Sequence, residues 1–297
     1  MIVAAVGLAL VGCAPSTQAE PEDDRPLVLT TFTVIADLAS VVAGDHLQVR
    51  SITKVGAEVH GYEPTPRDLA AAEDADLILD NGLGLEAWFE QFIENVDAPR
   101  VVLSRDVDPI DITEDEYAGK PNPHAWMSPL VVMDYVDTIA EAFTELDPAH
   151  ADDYAANAAA YRAELEAVHD ELVTALETLP ASQRALVTCE GAFSYLARDA
   201  GLDEQFLWAV NAEQQATPQQ IARTIEFVRD REVTAVFCES TVSDAAMRQV
   251  VEATGAAYGG TLYVDSLSEP DGPVPTYLEL IRYDTRIIVE ALTGDAS

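Results

Sequence analysis

Short runs of aliphatic and β-branched residues alternate, over most of the chain, with longer segments whose apolar residues recur every three or four positions. Such runs are typical of strands in a parallel sheet, and such segments are typical of the helices that cover it. The first half of this pattern extends from Leu27 to Leu146. Its predicted strands are Leu27–Thr33, Leu47–Thr53, Asp76–Asn81 and Arg100–Leu103, and its predicted helices are Val34–Gly44, Pro66–Ala75, Leu85–Asn95 and Leu130–Leu146.

The segment from Asp147 to Leu179 carries a single apolar stripe. The stripe residues are spaced by three, four or seven positions: Tyr154, Tyr161, Leu165, Val168, Leu172 and Leu176. These spacings place them on one face, so we predict one long helix with one buried side. His150 and His169 lie off the stripe and are predicted to be solvated, and His46 is predicted to lie at the start of a strand.

A second alternation of strands and helices follows the long helix. Its predicted strands are Ala185–Cys189, Gln205–Val210, Ala235–Cys238 and Ala257–Val264, and its predicted helices are Phe193–Ala200, Pro218–Glu232, Ser243–Thr254 and Pro275–Leu292. The predicted fold class is therefore α/β, with two parallel-sheet (β/α) lobes joined by a single long backbone helix. The expected boundaries are residues 27–146 for the N-terminal lobe, 147–180 for the linking helix and 181–297 for the C-terminal lobe.

The charge balance is strongly acidic. The chain has 53 Asp and Glu against 16 Lys and Arg, a formal net charge of −37, and Lys54 and Lys120 are its only lysines. Nucleic-acid binding requires a basic face, so a nucleic-acid partner is not expected. An acidic surface attracts cations, although adaptation to a salty environment would produce the same composition.

The N-terminus has the features of an exported lipoprotein. An apolar run too short to cross a bilayer precedes Cys13, and Leu10-Val11-Gly12-Cys13 resembles the bacterial lipobox, in which the cysteine is lipidated. We therefore expect a signal peptide over residues 1–12, a lipid anchor at Cys13 and a flexible acidic tether over residues 13–26. No Lys or Arg precedes the run, which suggests a natural start upstream of Met1. The alternative is a buried N-terminal helix with an incidental cysteine.

Two histidines lie in loops that proline stiffens. His60 is followed by Gly-Tyr-Glu-Pro-Thr-Pro, and His124 lies within Pro-Asn-Pro-His-Ala-Trp-Met-Ser-Pro. Proline fixes its own backbone angle and restricts the preceding residue, so both imidazoles are held with little freedom. Such pre-organised rings are candidate metal ligands.

Two carboxylates lie at or just beyond the ends of predicted strands. Glu190 follows Ala185–Cys189, and Asp265 follows the strand that ends at Val264. Ligands of open α/β sheets bind beyond the carboxyl ends of the strands, so these acids could join His60 and His124 in one cleft. Two nitrogens and up to four oxygens suit a divalent first-row metal. Taken alone, either acid could instead be a helix cap or an ordinary loop residue.

From about Leu27 to Leu292 the chain strongly resembles the metal-receptor lipoproteins of bacterial ABC importers, the manganese and zinc solute-binding family. The resembling segments begin at His60, Asn122, Thr188 and Val264, with further similarity at Asn211–Pro218 and Phe237–Val242. The resemblance implies that His60, His124, Glu190 and Asp265 clamp a metal between two lobes. Glu63, Glu213 and Glu239 lie in matching segments and are weaker candidates for supporting roles. Two positions depart from the family: Asn122 stands where Asp is usual, and Gly61 where Thr is frequent.

The resemblance also implies a function. It implies an extracytoplasmic receptor, monomeric and attached to the membrane by its lipid anchor, that delivers metal to an ABC permease with a cytoplasmic ATPase. Zinc-preferring members commonly have a third histidine where this chain has Glu190, and carboxylates favour six-coordinate manganese over tetrahedral zinc. Manganese is therefore the expected cargo, with zinc or ferrous iron as alternatives. A metal-dependent enzyme is the rival class that we do not expect, and an additional adhesin role is left open.

The remaining cysteines, Cys189 and Cys238, each precede a glutamate at the end of a predicted strand. In a doubly wound order 2-1-3-4 these two strands are neighbours, close enough for a disulfide in an exported protein. The alternative is a pair of small buried apolar side chains without a bond.

Overall fold

The computed structural model describes residues 24–93, 96–113, 117–210 and 216–294. The predicted signal peptide, Cys13, most of the tether and Glu213 lie outside these residues. Within them, the helices and strands agree closely with the sequence pattern, and most ends fall within two residues of the prediction. None of the described helices is long and apolar enough to cross a membrane.

The N-terminal lobe contains one parallel sheet with the strand order β2-β1-β3-β4. The two central strands are buried along their whole length and the two outer strands are partly exposed, as expected when helices cover both faces of a sheet. The elements are β1 (Leu27–Thr30), α1 (Thr33–Ala43), β2 (Gln48–Ser51), α2 (Pro66–Glu73), β3 (Leu77–Asp80), α3 (Ala87–Ile93), β4 (Arg100–Val102) and α4 (Pro129–Leu146).

The long helix α5 spans Ala151–Leu176, and every residue of the predicted stripe is buried. The predicted start at Asp147 is wrong, because a separate short 3₁₀ turn occupies residues 148–150 after Pro148. At about 1.5 Å per residue the helix is about 39 Å long. It packs against α1 and α4 on one side and against the last helix of the chain on the other. One apolar core therefore runs through both lobes along this helix.

The C-terminal lobe contains β5 (Ala185–Glu190), α6 (Ser194–Ala200), β6 (Asp203–Trp208), α7 (Pro218–Asp230), β7 (Ala235–Glu239), α8 (Ala245–Thr254), β8 (Ala257–Leu262) and α9 (Tyr277–Thr293). Its strands form two parallel pairs, β5 with β6 and β7 with β8. Strands β5 and β7 lie side by side, as the order 2-1-3-4 predicts, but no hydrogen-bonded ladder joins them. The C-terminal sheet thus has a seam at its centre.

The three histidines outside the proline-stiffened loops have surroundings that were not predicted. The rings of His46 and His150 stack with their centroids 3.8 Å apart, and each ring contacts a carboxylate, His46 that of Asp153 and His150 that of Asp147. His169 is half-buried rather than fully solvated, and its Nδ1 makes no hydrogen bond with the described residues.

Candidate metal centre

The loop that carries His60 is fixed by contacts on both sides of the residue. Glu58 accepts hydrogen bonds from the backbone N–H groups of His60 and Gly61, both at 2.8 Å. The Trp88 indole donates to the carbonyl oxygen of Val59 at 2.8 Å. The loop then ends in a capping box at Thr65, which starts α2. The His60 ring is consequently held in place while its side chain stays 8% exposed.

His124 is fully buried, at the start of a short 3₁₀ turn that precedes α4. Its backbone N–H donates to Oδ1 of Asn122 at 3.0 Å, and its Nδ1 lies 2.9 Å from the same oxygen. An amide oxygen only accepts, so Nδ1 carries the proton and Nε2 keeps its lone pair. Nε2 is therefore the atom of this ring that can bind a metal.

The candidate carboxylates come from the C-terminal lobe and are also buried. Glu190 is the last residue of β5, and its backbone N–H donates to Oε2 of Glu239 at 3.2 Å. Asp265 lies three residues beyond β8 and is 1% exposed. One oxygen of Asp265 accepts a long hydrogen bond of 3.4 Å from Thr241, and the other, Oδ1, makes none with the described residues.

The four side chains predicted as ligands converge through His60. Nε2 of His60 lies 3.0 Å from Nε2 of His124, 3.7 Å from Oε1 of Glu190 and 3.9 Å from Oδ1 of Asp265. Nε2 of His124 lies 3.8 Å from Oε1 of Glu190. Metal–ligand bonds of about 2.1 Å put neighbouring ligand atoms about 3.0 Å apart in an octahedron and about 3.4 Å apart in a tetrahedron. These four distances are close to those between neighbouring ligands of one metal, whereas Asp265 shares a group of donor atoms with His60 and Glu58 rather than with His124 and Glu190.

Two overlapping groups of donor atoms result. One contains His60, His124 and Glu190, and the other contains His60, Asp265 and Glu58. Glu58 was not predicted as a site residue, although a carboxylate two positions before a candidate ligand was a usable signal. Its two oxygens accept hydrogen bonds from the backbone of its own loop, so Glu58 has the structural role of fixing the loop that carries His60.

Burial makes this centre electrostatically unfavourable without a cation. The pKa of His124 lies well below its ordinary value of 6.5, chiefly because of burial and secondarily because of His60. Burial raises the pKa of Asp265, against the lowering effect of His60. Burial also raises the pKa of Glu239 to about 8. A divalent cation would favour the ionised carboxylates and the neutral imidazoles at the same time.

The weaker candidates differ in their surroundings. Glu239 contacts the backbone of Glu190 and is 2% exposed, so it lies directly behind a candidate ligand. Glu63 is exposed and belongs to neither group of donor atoms. Cys189 and Cys238 form a disulfide across the seam between β5 and β7, with their Cα atoms 4.9 Å apart. This bond immediately precedes Glu190 and Glu239 in the two strands.

The chain is similar to known metal-binding proteins. The family model ZnuA, "Zinc-uptake complex component A periplasmic", matches residues 28–291. The chain is 50% identical over 275 residues to the iron-binding protein YfeA of Yersinia pestis, covering 92% of this chain and 88% of that protein. It is 32% identical over 294 residues to the manganese-binding lipoprotein MntA of Halalkalibacterium halodurans, covering 98% and 97%.

A solved structure confirms the predicted fold class. The Mn-bound periplasmic metal binding protein from Candidatus Liberibacter asiaticus matches with a TM-score of 0.85 and 37% sequence identity, over 90% of this chain and 100% of that chain. The sequence resemblance noted above is confirmed by the family model and by these relatives. The chain therefore belongs to the ZnuA family, the metal-binding solute-binding proteins of ABC metal importers.

Proposed function

We propose that this protein captures a divalent transition metal between its two lobes, with His60, His124, Glu190 and Asp265 as ligands, and delivers it to an ABC permease. The observation that carries the proposal is the approach of His60 Nε2 to the other three donors, at 3.0–3.9 Å, in a site that is almost closed to solvent. Calorimetric titration of the metal-free protein tests it, and the absence of binding for manganese, ferrous iron and zinc alike would contradict it.

Manganese is our first choice of cargo. Two imidazoles and two carboxylates give two nitrogen and up to four oxygen donors, which permits coordination numbers above four. Ferrous iron is the second candidate, because a relative that shares half of its residues with this chain is named an iron-binding protein. Zinc would compete in solution, since it binds such sites more tightly than manganese does.

The identity of the cargo is tested in two steps. Protein purified without added metal is subjected to elemental analysis, and manganese and zinc then compete for the metal-free protein. We expect manganese in the purified protein even though zinc competes well afterwards. Zinc alone in the purified protein, at one ion per chain, would overturn the choice of manganese. The variant His169→Ala serves as a control for the loss of an imidazole outside the site. It should contain the same metal as the wild type, because His169 belongs to neither group of donor atoms.

Acid should release the metal, because an imidazole must keep its lone pair to remain a ligand. For free imidazoles the release would be centred near pH 6. The low pKa of buried His124 moves proton competition at that ring to more acidic pH. Metal content after dialysis at pH 7, 6, 5 and 4 measures the release, and full retention at pH 4 would argue against imidazole ligands.

The surroundings favour a carrier over an enzyme. His124, Glu190 and Asp265 are each at most 1% exposed, so little room remains for a substrate at the metal. A catalytic metal keeps an open coordination position, whereas a carrier can enclose its ion. The family consists of transport components rather than enzymes.

We further propose that the mature protein is monomeric and is anchored outside the cytoplasm by a lipid on Cys13, with an N-terminal lobe of residues 27–146, a linking segment of residues 147–180 that contains the long helix, and a C-terminal lobe of residues 181–297. The names of the manganese-binding relatives as lipoproteins support the anchor. Mass spectrometry of the N-terminal peptide from membrane fractions tests it, with Cys13→Ser as the control. Unmodified Cys13 in membrane-associated protein would contradict the anchor.

A further inference from the structure

The side chain of Asn122 contacts both lobes. It is 3% exposed, and its oxygen accepts two hydrogen bonds from His124 of its own lobe. Its Nδ2 donates across the cleft to the carbonyl oxygen of Gly191 at 2.6 Å and to Oγ of Ser194 at 3.1 Å. Gly191 is the residue that follows the candidate ligand Glu190. One amide thus joins the backbone beside one candidate ligand to the ring of another.

The orientation of this amide is fixed by the backbone. The N–H of His124 can only donate, so it requires the oxygen of Asn122 on its side. The carbonyl of Gly191 can only accept, so it requires the nitrogen on the other side. Ser194 agrees with this arrangement, because its hydroxyl donates to Glu204 at 2.5 Å and leaves a lone pair for Asn122.

Asn122 is also held through its main chain. Its N–H donates to the carbonyl of Ile110 at 2.7 Å, and its own carbonyl accepts from the hydroxyl of Tyr195 in the C-terminal lobe at 2.8 Å. The Tyr195 hydroxyl also accepts from the N–H of Ile110 at 3.1 Å. The loop before His124 therefore rests on α6 through both the backbone and the side chain of Asn122.

We propose that Asn122 is a positioning residue that couples closure of the lobes to the ability of His124 to bind metal, an inference that rests on the proposed function. With the lobes together, the amide is locked, Nδ1 of His124 keeps its proton and Nε2 presents its lone pair. When the lobes separate, Nδ2 loses both acceptors, the amide is free to rotate, and the His124 tautomer is no longer imposed. Opening therefore weakens a ligand at the moment of release.

The carboxamide is essential to this coupling. An aspartate at this position would still accept from His124. It has no hydrogen to donate to Gly191, and its oxygen would face a carbonyl oxygen at about the observed 2.6 Å. Asn122→Asp therefore preserves the contact with His124 and removes the two side-chain contacts with the other lobe.

The first experiment measures manganese dissociation by mixing loaded protein with an excess of chelator. We expect Asn122→Asp to release the metal about tenfold faster than the wild type, with Ser194→Ala giving a smaller increase in the same direction. The matched control is Asn157→Asp, which removes a donor to the Val42 carbonyl far from the site and should leave the rate unchanged. Unchanged or slower release from Asn122→Asp would overturn the coupling and leave only a local role beside His124.

The second experiment needs no metal and separates the coupling from the proposed function. Histidine ¹⁵N spectra of the metal-free protein should show His124 protonated at Nδ1 in the wild type and in Asn122→Asp. Asn122→Ala should populate the Nε2–H form, with the His169 signals unchanged. The Asn122 amide protons should exchange slowly with water, and at least tenfold faster in Ser194→Ala. Fast exchange in the wild type would overturn the inference, whereas a wild type that binds no metal but shows these spectra would overturn the proposed function alone.

Discussion

The two lobes contribute to the centre in opposite ways. The N-terminal lobe offers nitrogen donors on loops, and one of them, His60, keeps some solvent contact. The C-terminal lobe offers carboxylates at or near the ends of strands, with side chains that are fully buried. Several buried oxygens there lack protein hydrogen bonds, including Oδ1 of Asp265 and Oε1 of Glu239 among the described residues. In the proposed centre, His60 is the donor that faces solvent, and the buried carboxylates of the C-terminal lobe supply the negative charge.

The sheets differ as well. In the N-terminal lobe a continuous ladder joins all four strands. In the C-terminal lobe the ladder is interrupted between β5 and β7, where the Cys189–Cys238 disulfide and the hydrogen bond between Glu190 and Glu239 are among the bonds that cross. Glu190 is held on its β6 side by the backbone ladder, in which it pairs with Trp208, and on its β7 side by the side chain of Glu239.

The largest expected effect comes from removing a nitrogen donor. His60→Ala should weaken manganese binding at least a thousandfold, or about 4 kcal/mol, because the ring contributes to both groups of donor atoms. The loop should persist, since Glu58 and Trp88 bind its backbone. Calorimetry with circular dichroism measures both effects. Unchanged affinity would remove His60 from the centre.

The next largest effect is expected from removing the disulfide that crosses the seam between β5 and β7. The double variant Cys189→Ala, Cys238→Ala should lower the free energy of unfolding by about 4 kcal/mol, because the bond closes a loop of 49 residues. Urea unfolding measures this loss, and we expect less than a tenfold change in manganese affinity. Thiol counting on unfolded, unreduced wild-type protein checks the bond itself. Free thiols from both cysteines would show that the seam is held without it.

The buried carboxyl group of Glu86, in the N-terminal lobe, makes the stability of the protein depend on pH. Burial, with Asp80 as the second cause, raises the pKa of Glu86 from 4.5 to about 8. Between these values the folded chain holds a proton that the unfolded chain has lost, so stability falls as pH rises, by at most about 1.4 kcal/mol per pH unit. Below about pH 4.5 this contribution to stability is fully present, and above about pH 8 it is lost.

Urea unfolding of the metal-free protein at pH 5, 6, 7 and 8 tests this dependence. Glu86→Gln should flatten the slope, and it should also destabilise the fold, because its NH₂ group would replace one carboxyl oxygen and face the backbone N–H of residue 81 or of residue 82. Asp284 in the C-terminal lobe, whose pKa burial raises well above its ordinary value, accepts one backbone hydrogen bond. Asp284→Asn should therefore flatten the slope at less cost. Equal slopes in wild type and both variants would refute the effect.

The smallest effect concerns how nitrogen and oxygen donors divide the preference of the site between zinc and manganese. Glu190→His replaces a carboxylate of the C-terminal lobe with a third imidazole, so the ratio of zinc affinity to manganese affinity should rise about tenfold. Competition calorimetry measures the ratio. A fall in this ratio would show that the carboxylate at position 190 does not favour manganese.

Much of the fold was predictable because the signals are local and repeat along the chain. The stripe on α5 specified a long helix with one buried face, and all six of its residues are buried. Central strands such as Leu77–Asp80 were recognisable from continuous apolar runs. The candidate donors were recognisable because proline-stiffened loops and strand ends concentrate ligands, and parallel strands bring their carboxyl ends to one edge.

Other features required the tertiary structure. The seam between β5 and β7, the stacking of His46 on His150, and the approach of Asn122 to Gly191 each join residues that are distant in sequence. The sequence alone determined which residue types each loop could offer and which face of each element would be buried, because propensity and periodicity are local. Only the folded chain decided which hydrogen bonds fix the His124 tautomer and how close the four donors come, because these depend on contacts between separate segments of the chain, where a few tenths of an ångström decide whether a bond forms.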